Sequence, residues 1–286
     1  MTPSVANGET SGPAGDGPAA TVWGAAAGAD EVRAALGAAS HVRLIDVVGA
    51  VPSTQDVARA RAAGGAPSGT LVLAERQTAG RGRRGRRWDD DARPGASLAA
   101  TLVLDPPDAA HLVPHAVGLA VLDAVAPWLV ARAALKWPND VVVRTADGPR
   151  KVAGLLVERE DGSGAAGRTV LLAGVGVNVD RRHLPPAADR AGIADLAATD
   201  VAPATLLAGL VRGLDGALAL LARGPLALLD RYREVSDTRG RDVDVVLPDG
   251  AEVHGRADVD GEGRLVVTSV LGRHVVLSGT VRDAAS

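Results

Sequence analysis

Three apolar runs follow one another between residues 135 and 179: LKWPNDVVV, KVAGLLVERE and TVLLAGVGVNV. Only Gly- and Asp-rich turns separate them, so they read as three strands lying against one another in hairpin fashion. That excludes the strand–helix alternation of a doubly wound parallel sheet for this half of the chain. Upstream the pattern is mixed. HVRLIDVVGAV is a strand, and STQDVARARAAGG a helix capped by Ser53 or Thr54 and closed by Gly64. TLVLAERQ and SLAATLVL are two more strands, the second bounded by Gly95 and by Pro106-Pro107. Residues His115 to Ala133 keep a helical apolar spacing across Pro127, and a long helix pair runs from Pro203 to about Glu234.

Beyond Asp237 the texture changes to short strands with turns at Pro248-Asp249-Gly250, Asp260-Gly261 and Gly272. The reading is therefore α+β in three parts. Residues 1–28 form a Gly/Pro/Ala/Ser/Thr-rich segment expected to be disordered, residues 29–236 the main domain, and residues 237–286 a small all-β module. Asp30 is expected to cap one short helix over 30–39, the only helix that can be drawn before the first strand.

Composition closes several routes. There are no cysteines, which excludes a disulfide framework, a thiolate zinc site and a cysteine nucleophile. A net charge of -3 excludes holding nucleic acid through the overall field, so any anion site must be local. The apolar 47% is mostly Ala, Val and Leu; with no Phe and one Tyr, each of the four Trp needs a reason. Trp23 and Trp128 read as core or helix-packing residues. The first twenty residues lack a basic n-region and an apolar h-region, so they are not a secretory signal. The most apolar stretch, within 204–229, is interrupted by Arg212, Asp215 and Arg223, whereas a membrane span needs about 20 residues nearly free of charge. A cytoplasmic protein is expected.

The strongest local feature is QTAGRGRRGRRW, Gln77 to Trp88, with five arginines in seven residues interleaved with Gly82 and Gly85. Mutual repulsion and glycine freedom predict a loop that is mobile when empty and closes over a multiply charged anion, whose oxygens guanidinium forks match. A solvated charge run or a nucleic-acid patch is the plainer reading. Gly80, Gly82 and Gly85 also match G-x-G-x-x-G, but no helix follows the last glycine, and a dinucleotide fingerprint requires one. Four further segments are ambiguous singly. Ser53-Thr54-Gln55 lies at a strand-to-helix junction rich in free N–H groups. Lys136-Trp137-Pro138-Asn139-Asp140 is read as opening a strand, with Pro at a permitted place. Lys151 heads an apolar strand, and Gly174-Val175-Gly176-Val177-Asn178 puts two glycines in a strand, as a close approach to the backbone requires.

In this order, STQ, QTAGRGRRGRRW, KWPND, KVAGLLVE and GVGVNV, the segments resemble the biotin protein ligases, from about His41 to Val179. The resemblance implies a central mixed sheet with helices, like class II synthetases, followed by an SH3-like barrel. It implies a two-step reaction: biotin and ATP give biotinyl-AMP and pyrophosphate, and a lysine of a biotin carboxyl carrier domain then takes the biotinyl group. Mg2+ enters with ATP, and no protein-bound metal is implied. By similarity, Ser53, Thr54, Gln77 and the Gly80 backbone bind the ring end of biotin. Arg81, Gly82 and Arg83 close over carboxylate and phosphate, Lys151 stabilises the developing charge, Trp88 stacks on adenine, and Asn139, Asp140 and Asn178 line the nucleotide side. Gln55 stands where the family's motif has Asn. Such chemistry needs cations more than a protein nucleophile, in keeping with the lack of any obvious triad or P-loop. The single helix ahead of the first strand implies a monofunctional ligase without specific nucleic-acid or membrane binding, either monomeric or a weak ligand-linked homodimer. The rivals are a lipoate or octanoate transferase of the same superfamily and a nucleic-acid-binding module built on the Arg/Gly loop.

Overall fold

Apolar alternation with a period of two lets one strand serve two cores, and this chain uses that property to sandwich one sheet between helices. The structure, a computed structural model, describes residues 22–28, 30–36, 40–88, 93, 95–163, 167–184, 187–197 and 199–284. Its elements in chain order begin with α1 (Val22–Ala27), α2 (Asp30–Ala35), β1 (Leu44–Val51), α3 (Thr54–Ala63), β2 (Thr70–Gln77), β3 (Ser97–Leu104) and α4 (Val113–Val125). Then come β4 (Ala133–Lys136), β5 (Asp140–Thr145), β6 (Gly148–Ser163), β7 (Arg168–Asn178), α5 (Ile193–Leu196), α6 (Pro203–Arg223) and α7 (Pro225–Glu234). The C-terminal part holds β8 (Asp242–Val246), β9 (Glu252–Val259), β10 (Leu265–Ser269), β11 (Gly272–Val276) and β12 (Thr280–Asp283).

The main sheet has seven strands in the order β1-β2-β3-β7-β6-β5-β4. β1 and β2 are parallel, joined through α3; every other pair is antiparallel, including the hairpins β5–β6 and β6–β7. On β3, Leu98, Ala100, Leu102 and Leu104 face the core under α4 and α6, while Val103 faces α3 with Val72, Val170 and Leu172. The second sheet, β11-β10-β9-β8-β12, is wholly antiparallel and encloses its own small core, consistent with an SH3-like unit.

Four sequence expectations are corrected. The N-terminal segment does not stay without structure as far as residue 28, because α1 occupies Val22–Ala27. Its Trp23 is fully buried and donates Nε1–H to the Ser97 carbonyl at 3.0 Å, and the Glu75 carboxylate accepts from the N–H groups of Val22, Trp23 and Gly24. Residues 1–21 lie outside the described residues. Among the described residues two helices therefore precede β1, and the second covers 30–35, with Asp30 in its first turn. Helix α4 stops at Val125; Pro127 lies in a 3-10 turn, Ala126–Trp128, since a proline cannot donate to an α-helical ladder. Finally, Lys136-Trp137-Pro138-Asn139-Asp140 does not open a strand. It is the turn of the β4–β5 hairpin, with Lys136 opposite Asp140 and a cis Trp137–Pro138 bond.

That turn joins the two sheets. Trp137 packs among Val243, Val245, Ala257, Leu265 and Val267 of the C-terminal core, and its N–H donates to Thr238 Oγ1 at 2.9 Å. Arg144 on β5 bridges the buried Asp237 and Asp283 of β12. The segment at the composition change is itself paired with β4, through Leu135 N–H to the Val235 carbonyl and Asp237 N–H to the Leu135 carbonyl, both 2.8 Å.

Helical stretches Ala110–Trp128 and Pro203–Arg223 reach the length and hydropathy of a membrane span, but 61% and 56% of their most apolar windows are buried inside the protein. They cross where α6 carries Gly209 and Gly213. A Cβ on Gly213 would stand 2.5 Å from the Ala120 carbonyl oxygen and 3.0 Å from Ala120 Cα, both backbone. Gly213→Val is expected to cost on the order of 3 kcal/mol by overpacking, while Gly216→Ala, with nothing within 4 Å, gains up to about 1 kcal/mol; urea unfolding of both variants checks the contrast.

His115 on α4 is partly buried, donates Nε2–H to the Gly263 carbonyl at 2.9 Å and meets the Tyr232 ring edge-on at 4.6 Å. Burial pulls its pKa down to about 4. The unfolded chain then binds more protons than the folded one between pH ~6.5 and ~4. The associated stability is complete above pH ~6.5 and is lost as the pH falls toward 4, by up to about 3 kcal/mol. Urea midpoints measured from pH 7.5 to 4.5 should show this slope, and His115→Leu should flatten it.

Candidate active site

The strand ends and turns of the main sheet meet the C-terminal sheet around a cavity of about 320 Å3. Ser53 is the N-cap of α3, accepting from the Gln55 N–H, so the first turn of α3 points into the cavity wall. Thr54 is tied to the end of β2: its N–H donates to Gln77 Oε1 at 2.8 Å and its hydroxyl to the same oxygen at 3.2 Å. Thr101 of β3 donates its hydroxyl to Thr54 Oγ1 at 2.8 Å. All three elements are thereby locked by buried polar groups. Thr101 escaped the sequence reading, although a fully buried Thr inside SLAATLVL is the signal that could have found it. Gln55 donates its amide to the Leu156 and Leu172 carbonyls at 3.0 and 3.4 Å, a reach that its extra methylene supplies.

The arginine segment folds into a short hairpin of its own. Gly82 N–H donates to the Arg86 carbonyl (2.7 Å) and Trp88 N–H to the Gly80 carbonyl (2.9 Å), which makes a small hairpin with a 3-10 turn at its tip. Arg84 sits in the left-handed region at φ 58°. Repulsion among the arginines is relieved by partners on other elements. Arg81 forms a bidentate pair with Asp56 of α3 at 2.6 and 2.7 Å, and its hydrogen bonds hold the Asp56 carboxyl below the usual range. Arg83 reaches Asn139 Oδ1 (3.5 Å) and Ser278 Oγ (3.2 Å), and Arg86 reaches Thr280 Oγ1 (3.2 Å). Burial, followed by the neighbouring Arg84 charge, lowers the pKa of Arg83 from its ordinary value.

Opposite the loop, Lys151 on β6 pairs with Asp140 of the hairpin turn at 2.6 Å, and its ammonium lies 5.4 Å from the centroid of the Trp88 ring. Asn139 donates to the Leu155 carbonyl (2.8 Å) and Asn178 to the Lys151 carbonyl (3.3 Å), which fixes both amides. The strand glycines have an identifiable cause. A Cβ on Gly176 would lie 2.5 Å from the Trp88 indole, one on Gly154 2.8 Å from Lys151 Nζ, and one on Gly174 3.2 Å from the Gln55 amide. Three side chains thus lie flat on bare backbone.

Of the residues singled out in the sequence, Ser53, Thr54, Gln55, Gln77, Arg81, Gly82, Arg83, Trp88, Asn139, Asp140, Lys151 and Asn178 all line this one cavity. Gly80 does not line it; it lies beneath the Trp88 backbone, where a Cβ would stand 2.8 Å from the Trp88 carbonyl oxygen. The lining also holds Arg84, Arg86, Arg87, Lys136, Arg190 and Asp189, together with Gly279, Thr280 and Val281 from the C-terminal part. Eight cationic side chains therefore face two carboxylates in a chain whose net charge is -3. Such a cavity is built for a polyanion. Among the described residues no cluster of His, Asp or Glu could hold a metal ion.

Comparison with known proteins agrees with this geometry. The model of the Biotin/lipoate A/B protein ligase family matches residues 48–178. The biotin--[acetyl-CoA-carboxylase] ligase of Mycobacterium tuberculosis (strain ATCC 25618 / H37Rv) is 38% identical over 250 residues, covering 85% of this chain and 90% of the relative. The bifunctional ligase/repressor BirA of Escherichia coli (strain K12) is 31% identical over 207 residues, 70% of this chain and 62% of the relative. Among solved structures, the biotin protein ligase from Aquifex aeolicus in complex with biotin and ATP superposes with a TM-score of 0.71 at 24% identity, over 85% of this chain and 100% of that one. With the central mixed sheet, the polycationic cavity and a relative matched over nearly its whole length, the chain belongs to the biotin protein ligases of the biotin/lipoate A/B protein ligase family.

Proposed function

We propose that this chain activates biotin with ATP to biotinyl-5'-AMP, releasing pyrophosphate, and transfers the biotinyl group to a lysine of the biotin carboxyl carrier domain of an acyl-CoA carboxylase. The observation that carries this reading is the state of Arg83. It is a half-buried cation at the cavity, held by two neutral oxygens, with no carboxylate within ion-pair distance among the described residues. Arg81 and Lys151, by contrast, each have an aspartate partner. A desolvated cation with no direct ion pair among the described residues is a place kept for an anion that arrives with the substrate.

In the first step a carboxylate oxygen of biotin attacks the α-phosphorus of ATP. A new O–P bond forms as the bond to the bridging oxygen breaks, and pyrophosphate leaves. Two anions must meet, so the work required of the protein is cationic charge and alignment. Lys151 serves the carboxylate and the α-phosphate, and Arg81, Gly82 and Arg83 close over both. Ser53, Thr54 and Gln77, with the Gly80 backbone, take the ring end of biotin, and Gln55 buttresses that wall through β6 and β7. Trp88 stacks on adenine, while Asn139, Asp140 and Asn178 border the nucleotide. In the second step the carrier lysine amine attacks the acyl carbon and AMP leaves, so no protein nucleophile is used. The loop keeps water from the mixed anhydride in the interval. Mg2+ belongs to this scheme as part of the ATP substrate and neutralises its phosphates.

The wider assignment comprises a catalytic domain over 29–236, a C-terminal SH3-like domain over 237–286, and a cytoplasmic ligase acting as a monomer or a weak ligand-linked homodimer. It carries no specific nucleic-acid or membrane binding. Sequence-specific DNA binding at physiological salt in a mobility-shift assay would contradict that assignment.

ATP–pyrophosphate exchange with biotin, lipoate and octanoate in parallel tests the chemistry. Exchange with biotin alone is expected; exchange with lipoate instead would move the chain to the sister activity, and none with any acid would overturn the reading. Lys151→Ala should lower adenylate formation by more than about tenfold with an unchanged circular dichroism spectrum, and a fully active variant would refute its role. Arg83→Ala should weaken biotin binding and hasten loss of the adenylate, so unchanged release from that variant would sink the lid assignment.

A further inference from the structure

We infer that the turn Ser278–Gly279–Thr280 of the C-terminal sheet is a positioning element of the active site, which holds the arginine loop closed over the acyl-adenylate. This inference rests on the ligase reading above. Ser278 Oγ accepts from Arg83 at 3.2 Å and Thr280 Oγ1 accepts from Arg86 at 3.2 Å, across 195 and 194 residues of chain. For each hydroxyl this is the only side-chain hydrogen bond among the described residues. Neither hydroxyl is needed by the C-terminal sheet itself; each serves the loop.

The turn is rigid where it meets the loop. Val276 before it and Val281 after it are both buried in the C-terminal core. Gly279 lies so close to β8 that a Cβ would stand 2.7 Å from Val245 Cγ1 and 3.1 Å from the Val246 carbonyl oxygen. Thr280 is paired with Val246 in the β12–β8 ladder. Gly279, Thr280 and Val281 all line the cavity. The loop is therefore fastened at two places: Arg81 to α3 of the main domain, and Arg83 and Arg86 to the C-terminal turn. The two fastenings differ in kind. Arg81 has a carboxylate partner, whereas Arg83 is oriented by neutral oxygens, which fix its direction and leave its charge available to a ligand. Ser278 and Thr280 act through the arginines and not on the reacting atoms.

The test uses the full-length chain in single turnover with biotin and ATP, following pyrophosphate release for synthesis and escape of protein-bound biotinyl-AMP for retention. Ser278→Ala is expected to speed escape about tenfold, the effect of losing one hydrogen bond to a charged group, while synthesis stays within about twofold. Ser278→Thr, which keeps the hydroxyl, should restore retention, and Thr280→Val should give a smaller loss than Ser278→Ala. On an Arg83→Ala background Ser278→Ala should add nothing. Unchanged escape from Ser278→Ala, or an effect that persists without Arg83, would overturn the inference while leaving the ligase reading intact. Failure of the unsubstituted protein to form biotinyl-AMP would overturn both.

Discussion

Concentrated positive charge is the constraint around which this molecule is organised. A mildly acidic chain gathers eight cationic side chains around one cavity, and charges at such spacing repel one another unless each is given a place. The structure gives them different places. Arg81 is neutralised by Asp56, Lys151 is paired with Asp140 and lies near an indole, and Arg83 is oriented by oxygens that carry no charge. The gradation from paired to unpaired turns a repulsive cluster into a graded electrostatic funnel whose strongest unmet demand lies at the loop tip.

Flat approach of side chains to the sheet is the second ingredient. Trp88, Lys151 and Gln55 rest against Gly176, Gly154 and Gly174, where any Cβ would intrude. A strand interior pays in stability for each glycine. The neighbouring ladders offset that cost, because β7 is paired on both sides along its length. The cavity floor is thus hydrogen-bonded backbone, stiff in a way that a floor of side chains could not be.

Much of this was legible in the sequence, and for physical reasons. Strand runs such as TLVLAERQ and SLAATLVL coincide with β2 and β3 because period-two patterning and flanking turns are local signals. The Ser53 cap and the Gly64 stop were readable on the same ground. Resemblance brought twelve of the site residues into one cavity. Apart from the end of α4, which the local Pro127 sets, the failures involve distant partners. Trp23 sits in low-complexity sequence, and only the remote Glu75 and Ser97 give its helix a reason to form. KWPND looked like a strand start because its role depends on β8–β10, a hundred residues away. Thr101 is marked only as a polar residue inside an apolar strand run, and Ser278 and Thr280 carry no local mark of their contacts.

Trp137 gives the C-terminal sheet a standing that its size and texture conceal. The indole belongs by chain to the main domain and by packing to the smaller core, and the next residues in that turn are Asn139 and Asp140 of the cavity wall. Removing the small sheet would expose the largest apolar side chain of the hairpin turn. The unit is therefore not a detachable cassette, because a side chain from outside it completes its core. A change of texture marks where it begins in the sequence, but its packing runs straight across that point.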